Sequence, residues 1–309
     1  MPDSFYLSLM AQKAKDVLWK GIIEDLFADF LRFFYAGADE IFDMDRGFEF
    51  LDTELGQLYP GQDIKDSKFV DKLVKVYKKD GSEEWLLIHL EVQGYNDKLF
   101  ARRMFTYFYR ILDGFDMEVA SIAIFSDNDK NYQPDRYEYH SLDTSNVFRF
   151  KTYKIKGQDV AALENSDNPF AIVILTVLIA LKAPEVKQEE LLNLTVELAK
   201  RLFRKGFSRE KVNNLLDFIK AYVFLGKNEI FTKFEGEIDI ITTKNKSMGI
   251  RELATLLIKE EGKVENQTTT VTNMLLRSNL SLAEMADFAG VSVDFVIERK
   301  NNLSSAVNN

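Results

Sequence analysis

The apolar positions of residues 16–35 recur at helical spacing. The members of this apolar run are Trp19, Ile22, Ile23, Leu26, Phe27, Phe30, Leu31 and Phe34. Residues three and four apart share one face of a helix, so the run predicts an amphipathic helix that ends near Ala36 and Gly37. Glu24 lies at the edge of this stripe, where it is either a solvated flank residue or a residue with a function.

Two strand-like runs follow at residues 69–77 and 85–93, joined by the segment Lys79-Asp80-Gly81-Ser82. An Asp-Gly pair between two β-prone runs is typical of a hairpin. If the turn centres on Asp80 and Gly81, Asp71 should lie opposite Leu90 or Glu91 in the antiparallel pairing, within one residue of register.

The rest of the first half alternates between helix and strand patterns. A helix is predicted over 100–112, a buried strand over 119–125, a polar loop over 126–135 and a further strand over 147–155. This order of elements is typical of an α/β or α+β unit, and it predicts a first domain at residues 1–157.

Residues beyond 157 show only helical periodicity. Helices are predicted near 169–182, 188–203, 209–225 and 249–260, with looser sequence around 232–247 and a possible linker at 262–270. We therefore expect an all-α region at 158–262 and a small helical tail at 263–309. Within the tail, residues 280–296 look like a helix-turn-helix, with Met285, Val291 and Val296 in its core, the small Ala286 at the helix contact and Gly290 in the turn. The second helix of this motif carries two acids, so a folding or protein-contact module is favoured over a DNA-reading one.

Composition narrows the class of protein. The chain has 309 residues, 46% of them hydrophobic, and no cysteine, which excludes disulfides, thiolate zinc sites and cysteine nucleophiles. The first residues do not resemble a signal peptide, and the most apolar run, 170–181, is too short to span a bilayer. A cytoplasmic protein without membrane association is expected, and the formation of a homo-oligomer stays an open possibility.

The net charge of −9 means that any DNA-binding surface must be a local basic patch, because affinity for DNA depends on neutralising phosphates.

The second strand of the hairpin carries the residues with candidate chemistry. His89, Glu91 and Gln93 share one face by alternation, while Leu86, Ile88, Leu90 and Val92 form an apolar face. If Asp71 meets them across the hairpin, two carboxylates and an amide oxygen converge, and these are ligands that Mg²⁺ prefers, with Mn²⁺ also possible. Such a centre suits hydrolysis of a phosphodiester. From spacing alone, an exposed cross-strand polar cluster is favoured over a metal centre. A structural role for His89 is likewise favoured over a role as a general base or as a neighbour of the metal.

Several segments together resemble the Rpn family of recombination-promoting nucleases and YhgA-like transposases, within the PD-(D/E)XK superfamily. These segments are Val70–Val76, the Asp-Gly turn, Trp85–Gly94, Phe100–Arg110, Asp16–Lys20 and Phe50–Glu54. The resemblance implies a restriction-endonuclease-like α/β core, with a mixed sheet flanked by helices, followed by the all-α C-terminal region. It also implies a magnesium-dependent DNA endonuclease, linked to mobile elements or recombination.

Carried over to this chain, the resemblance implies that Asp71 and Glu91 bind the metal and that Glu24 is an auxiliary acid. Gln93 stands where most of the superfamily has a catalytic lysine, and an amide offers a dipole where lysine offers a charge. A catalytically weak or inactive relative that binds nucleic acid or protein is therefore the alternative function.

The helix after the hairpin supplies possible contacts to DNA. Arg103, Tyr107 and Arg110 fall on one helical face, from which they could meet DNA phosphates near the metal site. Pairing of the arginines with nearby acids and packing of the tyrosine is the alternative. The sequence contains no phosphate-binding loop of the G-x-x-x-x-G-K type, which argues against an NTPase.

Overall fold

The computed structural model describes residues 2–51, 70–91, 99–225, 227–242, 267–276 and 280–307. At positions 2–13, 70, 71, 83, 87–91, 228, 239–242, 298 and 302–307 it describes the backbone alone. The elements of the first half are α1 (Pro2–Asp25), α2 (Phe27–Phe34), α3 (Ala38–Ile41), β1 (Glu49–Phe50), β2 (Val70–Tyr77), β3 (Glu83–Glu91), α4 (Phe100–Phe115), β4 (Val119–Phe125), β5 (Arg136–Ser141), β6 (Thr144–Arg149) and β7 (Lys151–Lys154). The second half contains α5 (Val160–Asn165), α6 (Phe170–Lys182), α7 (Gln188–Arg204), α8 (Arg209–Val223), α9 (Asn228–Thr242), α10 (267–276), α11 (Leu282–Ala289) and α12 (Val293–Val307).

The described part of the chain contains a mixed five-stranded sheet in the order β1-β2-β3-β4-β7. β1, β2 and β3 pair antiparallel, whereas β3, β4 and β7 pair parallel. Two parallel neighbours need a crossover connection, and α4 lies in the connection between β3 and β4. The expected α/β architecture with a mixed sheet and helices is confirmed.

The two faces of the sheet pack against different helices. One face contributes Val74, Leu86 and Ile122 to the main hydrophobic core, which also contains Trp19 of α1 and Phe170 of α6. The other face packs against α4. Both faces are apolar because helices cover the sheet on both sides.

The helix predicted over 16–35 is two helices. α1 ends at Asp25 and α2 begins at Phe27, with Leu26 at φ −121° and ψ 29° between them. The apolar stripe continues across the break because Leu26 and Phe27 are both buried. Periodicity alone therefore could not reveal where the helix axis changes.

The strand predicted over 147–155 is also divided. Thr144–Arg149 pairs with β5 in a separate two-stranded sheet, whereas Lys151–Lys154 joins the large sheet beside β4. The alternation of apolar residues continues through Phe150, so the sequence does not mark the change of sheet. β5 itself was not predicted.

Among the helices of the second half, α6 packs on α2 and α8 packs on α1. Helices α5–α9 all contribute to the core that also lies against the sheet. Trp19 contacts Phe218 and Tyr222 of α8 with ring centroids 5.9 and 6.2 Å apart. The core thus extends across residue 157, and the division of domains there stays a prediction. The predicted helices near 169–182, 188–203 and 209–225 are confirmed. The looser stretch expected at 232–247 is wrong up to residue 242, where α9 ends, and the predicted helix at 249–260 lies outside the described residues.

Candidate active site

The β2–β3 hairpin closes through a loop of three residues, Lys79, Asp80 and Gly81. The Lys78 carbonyl accepts a hydrogen bond from the Gly81 amide at 3.0 Å, and the Lys78 amide donates to the Ser82 carbonyl at 2.8 Å. Gly81 has a φ of +89°, a backbone conformation that only glycine adopts without steric cost. Three-residue hairpin loops typically end in a residue with positive φ that forms a β-bulge, and Gly81 is that residue here.

Asp71 lies directly opposite His89 in this hairpin, and Val70 lies opposite Leu90. The predicted pairing of Asp71 with Leu90 or Glu91 is therefore off by one residue, which lies within the one-residue range of that prediction. A two-residue turn would give that register, and the third loop residue shifts every cross-strand partner. Asp71 and Glu91 are instead diagonal neighbours, whose Cα atoms are typically about 7–8 Å apart and whose side chains can still meet.

Both acidic positions lie at one edge of the sheet. Glu91 is the last residue of β3 and pairs with Phe125, the last residue of β4. Asp71 is at the start of β2, which runs antiparallel to β3 and so begins at the same edge. Ligand sites of open α/β sheets form outside the carboxyl ends of the parallel strands. The topology therefore brings Asp71 and Glu91 to the edge where such sites form.

α4 covers the side of the sheet to which positions 71, 89 and 91 belong. Leu73 and Trp85 pack in one cluster with Ile111 of α4. Successive residues of a strand alternate between faces, so positions 71, 89 and 91 are on the same side as Leu73 and Trp85. The side chains of Asp71, His89 and Glu91 lie outside the described residues, and so does the whole of Gln93.

Glu24 approaches the sheet from the opposite side. Its Oε1 accepts a hydrogen bond from the Nζ of Lys72, a residue that is 1% exposed and alternates with Asp71 along β2. A buried ammonium needs a counter-charge, and Glu24 supplies one. The structure therefore gives Glu24 an ion-pairing role with Lys72. A role for it as an auxiliary acid beside Asp71 stays a prediction.

The three α4 residues predicted to share a face differ in their surroundings. Tyr107 is only 6% exposed and packs in the cluster that contains Leu73. This burial favours the packing alternative for Tyr107, and its contact with DNA phosphates stays a prediction. Arg103 and Arg110 are half-buried, and the Cζ of Arg103 lies 5.6 Å from the centroid of the Phe100 ring.

A buried ion pair at the same edge of the sheet was missed by the sequence analysis. Lys154 ends β7 beside Phe125, and its Nζ donates to the Oδ2 of Asp127 at 2.5 Å and to the Tyr132 carbonyl at 3.3 Å. Asp127 follows β4 by two residues, and its Oδ1 accepts a hydrogen bond from the Asp129 amide at 2.8 Å. The signal for Asp127 was available, since an acid just after a buried parallel strand lies at the ligand-binding edge. No comparable signal identified Lys154, because a lysine at a polar position of an alternating strand is usually exposed.

The donor chemistry at positions 71 and 91 fits a hard divalent cation. Carboxylate oxygens are preferred ligands of Mg²⁺, and a protein site often supplies only one or two of them. Where side chains are described, no group of three or more histidines, aspartates and glutamates could hold a metal ion. The side chains of Asp71, His89 and Glu91 are not part of that set.

The tail forms a small helical module with a core of its own. Met285, Ala286 and Val296 are buried together with Val271 of α10, and Gly290 ends α11 with a φ of +62°. A capping box between Ser281 and Glu284 starts α11, where each residue bonds the backbone amide of the other. The predicted core of the helix-turn-helix-like segment is confirmed at these positions.

Its outer surface does not resemble a DNA-reading surface. Phe288 is 74% exposed, and Val293, Asp294 and Ile297 are exposed on α12. Base reading in the major groove relies on polar and basic side chains, so this apolar and acidic surface favours the alternative of a folding or protein-contact module.

No protein-family model matches the chain, and neither a curated protein nor a solved structure matches it. Within the described ranges, no helix has the length and apolar character needed to cross a membrane.

Proposed function

We propose that the chain is a magnesium-dependent DNA endonuclease of the PD-(D/E)XK type, linked to mobile elements or recombination. The observation that carries the proposal is the pairing of β2, β3 and β4. This pairing places Asp71 and Glu91 as diagonal neighbours on one side of the sheet, at its carboxyl edge. The mixed strand order, with α4 as the crossover, supports the restriction-endonuclease-like core expected from the resemblance.

Asp71 and Glu91 are the proposed ligands of Mg²⁺, with Mn²⁺ as a substitute. When bound, the metal supplies Lewis-acid polarisation of the phosphate and a lowered pKa of water. The reaction adds water across one P–O bond of the backbone, leaving a phosphomonoester and a hydroxyl group. Gln93 would orient the attacking water through its amide dipole, because it cannot supply the charge that a lysine gives.

DNA must approach a chain with a net charge of −9 through a local basic surface. The arginines of α4 lie above the side of the sheet that carries positions 71 and 91, which supports them as contacts to DNA phosphates. Phosphate contacts of this kind orient the duplex without reading its sequence.

A supercoiled-plasmid nicking assay with Mg²⁺ tests the proposal. Wild type should nick the plasmid, EDTA should stop the reaction, and Asp71→Asn and Glu91→Gln should each lower the rate by at least about 100-fold. Asp143→Asn, at the exposed tip between β5 and β6, is the matched control and should behave as wild type. Equal rates for wild type and Asp71→Asn across a range of salt concentrations would reject the proposed activity.

The second candidate is a non-catalytic relative that binds nucleic acid or protein. It is favoured by Gln93 in place of the lysine and by the acidic net charge. Absence of Mg²⁺ and Mn²⁺ binding by calorimetry, together with retained binding of a DNA duplex or a protein, would support this candidate over the endonuclease.

A further inference from the structure

The direction of α4 places its first turns at the edge of the sheet that carries Asp71 and Glu91. Phe100 packs on Phe125, at the carboxyl end of β4, with ring centroids 5.2 Å apart. At the other end of the helix, Phe115 packs on Trp85 near the start of β3, with centroids 4.8 Å apart. α4 therefore runs antiparallel to β3 and in the same direction as β2.

The spacing along α4 brings Arg103 to the height of Asp71. Tyr107 packs in the cluster that contains Leu73. Four residues of helix rise about 6 Å, and two residues of strand rise about 6.6 Å. The step from Tyr107 back to Arg103 therefore matches the step from Leu73 back to Asp71, at the level of the paired His89.

The flank of α4 to which Arg103 belongs faces β2 and β3. The opposite flank carries Phe105 and Phe108, which contact the β5–β6 sheet through Tyr137 and Phe148, with ring centroids 5.1 and 4.5 Å apart. Each helical residue is rotated by 100° from the one before it. Arg103 and Tyr107 therefore lie close together around the helix axis, on the flank away from Phe105 and Phe108.

The guanidinium of the half-buried Arg103 is partly withdrawn from water. Its Nε and Nη2 atoms are each shielded from solvent, whereas the neighbouring Arg102 is exposed. A buried cation is costly unless negative charge lies nearby. The acidic position 71 is at the height of Arg103, and the acidic position 91 is its diagonal neighbour, both on the side of the sheet that α4 covers.

We propose that Arg103 is the cationic residue of the Asp71–Glu91 centre and binds the phosphate whose P–O bond is cleaved. This inference rests on the proposed function and refines it, because it assigns to α4 the positive charge that Gln93 lacks. A guanidinium is always charged, and its planar donors match two phosphate oxygens at once. Arg103 would therefore stabilise the charge that grows on the phosphate oxygens during attack by water.

The placement of Arg103 is tested first without metal or substrate, by thermal unfolding in EDTA. Arg103→Met should lower the unfolding midpoint by about 3–6 °C, because it leaves two neighbouring carboxylates without their cation. The same change in an Asp71→Asn, Glu91→Gln background should lower it by less than half as much. Equal shifts in the two backgrounds would show that Arg103 is outside the centre and would overturn the proposal. Arg102→Met is the matched control and should give a small shift that is the same in both backgrounds.

The role of Arg103 is tested next by separating metal binding from cleavage. Arg103→Met should bind Mn²⁺ within about threefold of wild type but nick plasmid at least about 100-fold more slowly, and Arg103→Lys should recover part of that rate. A rate within threefold of wild type for Arg103→Met would overturn the catalytic role. If wild type neither bound Mn²⁺ nor cut DNA, the proposed function would fail. In that case, unequal unfolding shifts in the two backgrounds would show that Arg103 is only a counter-ion of the two acids. That result would also overturn its role in cleavage.

Discussion

Lys154 donates a hydrogen bond to Asp127 over 2.5 Å, and the two side chains are 6% and 0% exposed. The pair connects the end of β7 to the residues that follow β4, at the edge where Glu91 ends β3. Two charges buried from water repay their desolvation only when their hydrogen bonds are satisfied. Here Lys154 also donates to the Tyr132 carbonyl, and Asp127 also accepts the Asp129 amide.

Lys154→Met should therefore destabilise the protein by about 3–5 kcal/mol, because it leaves the Asp127 carboxylate buried without its cation. Adding Asp127→Leu to that variant should recover much of the loss, since an apolar pair of similar size replaces both charges. Urea unfolding of the single and double variants measures both effects. Lys200→Met, which removes an exposed partner of Glu197, is the control and should barely move the urea midpoint. A Lys154→Met variant as stable as wild type would show that the buried pair contributes nothing.

The buried tyrosine of α8 predicts a loss of stability at high pH. Burial raises the pKa of Tyr222 to about 12, while an unfolded tyrosine titrates near 10. Between pH 10 and 12 the unfolded chain has released this proton and the folded chain has kept it. The free energy of unfolding should then fall by about 2–3 kcal/mol as the pH rises through that window.

Tyr222→Phe isolates this contribution. At pH 8 the variant should lose about 1–2 kcal/mol, because the Nε1 of Trp19 donates to the Tyr222 hydroxyl at 3.2 Å. Urea unfolding at several pH values should show the gap to wild type closing above pH 10. If the two curves kept a constant separation up to pH 12, the buried phenol would not be the titrating group.

Substitution of Glu24 distinguishes an ion-pairing role of this residue from a catalytic role. Glu24→Gln should destabilise the protein by roughly 1–2 kcal/mol, because it removes a counter-charge from the buried ammonium of Lys72, and partial exposure of Glu24 limits the effect. Lys72→Met in the same chain should restore part of the loss, as measured by urea unfolding. Plasmid cleavage by the Glu24→Gln variant should stay close to that of wild type. A large loss of cleavage at unchanged stability would instead support Glu24 as the auxiliary acid.

Periodicity and turn chemistry predicted most of the elements that position the candidate site. The β2–β3 hairpin, the α4 helix and the buried β4 strand follow from local patterns that depend on neighbouring residues. The one-residue offset in register came from one loop residue, since Asp80-Gly81 fits both a two-residue turn and the three-residue loop that Lys79 completes. Side-chain alternation still placed position 71 on the same side as position 91 once the true pairing was known.

Long-range features could not be predicted in the same way. The pairing of Lys72 with Glu24 joins residues 48 apart in sequence, and that of Lys154 with Asp127 joins residues 27 apart. A lysine in an alternating strand has the same local pattern whether its ammonium reaches solvent or a buried carboxylate. Only the packing of α1 and the parallel pairing of β4 with β7 bring these charges together.

Calorimetric titration of the metal-free protein with Mn²⁺ tests the Asp71–Glu91 centre most directly. We expect wild type to bind Mn²⁺, Asp71→Asn and Glu91→Gln each to weaken binding by at least about 10-fold, and Asp143→Asn to bind as wild type does. All four proteins should unfold at similar temperatures in EDTA, apart from the modest shifts that follow from removing charge near Arg103. Wild-type protein that binds no Mn²⁺, or variants at positions 71 and 91 that bind it as tightly as wild type, would show that Asp71 and Glu91 do not form a metal centre.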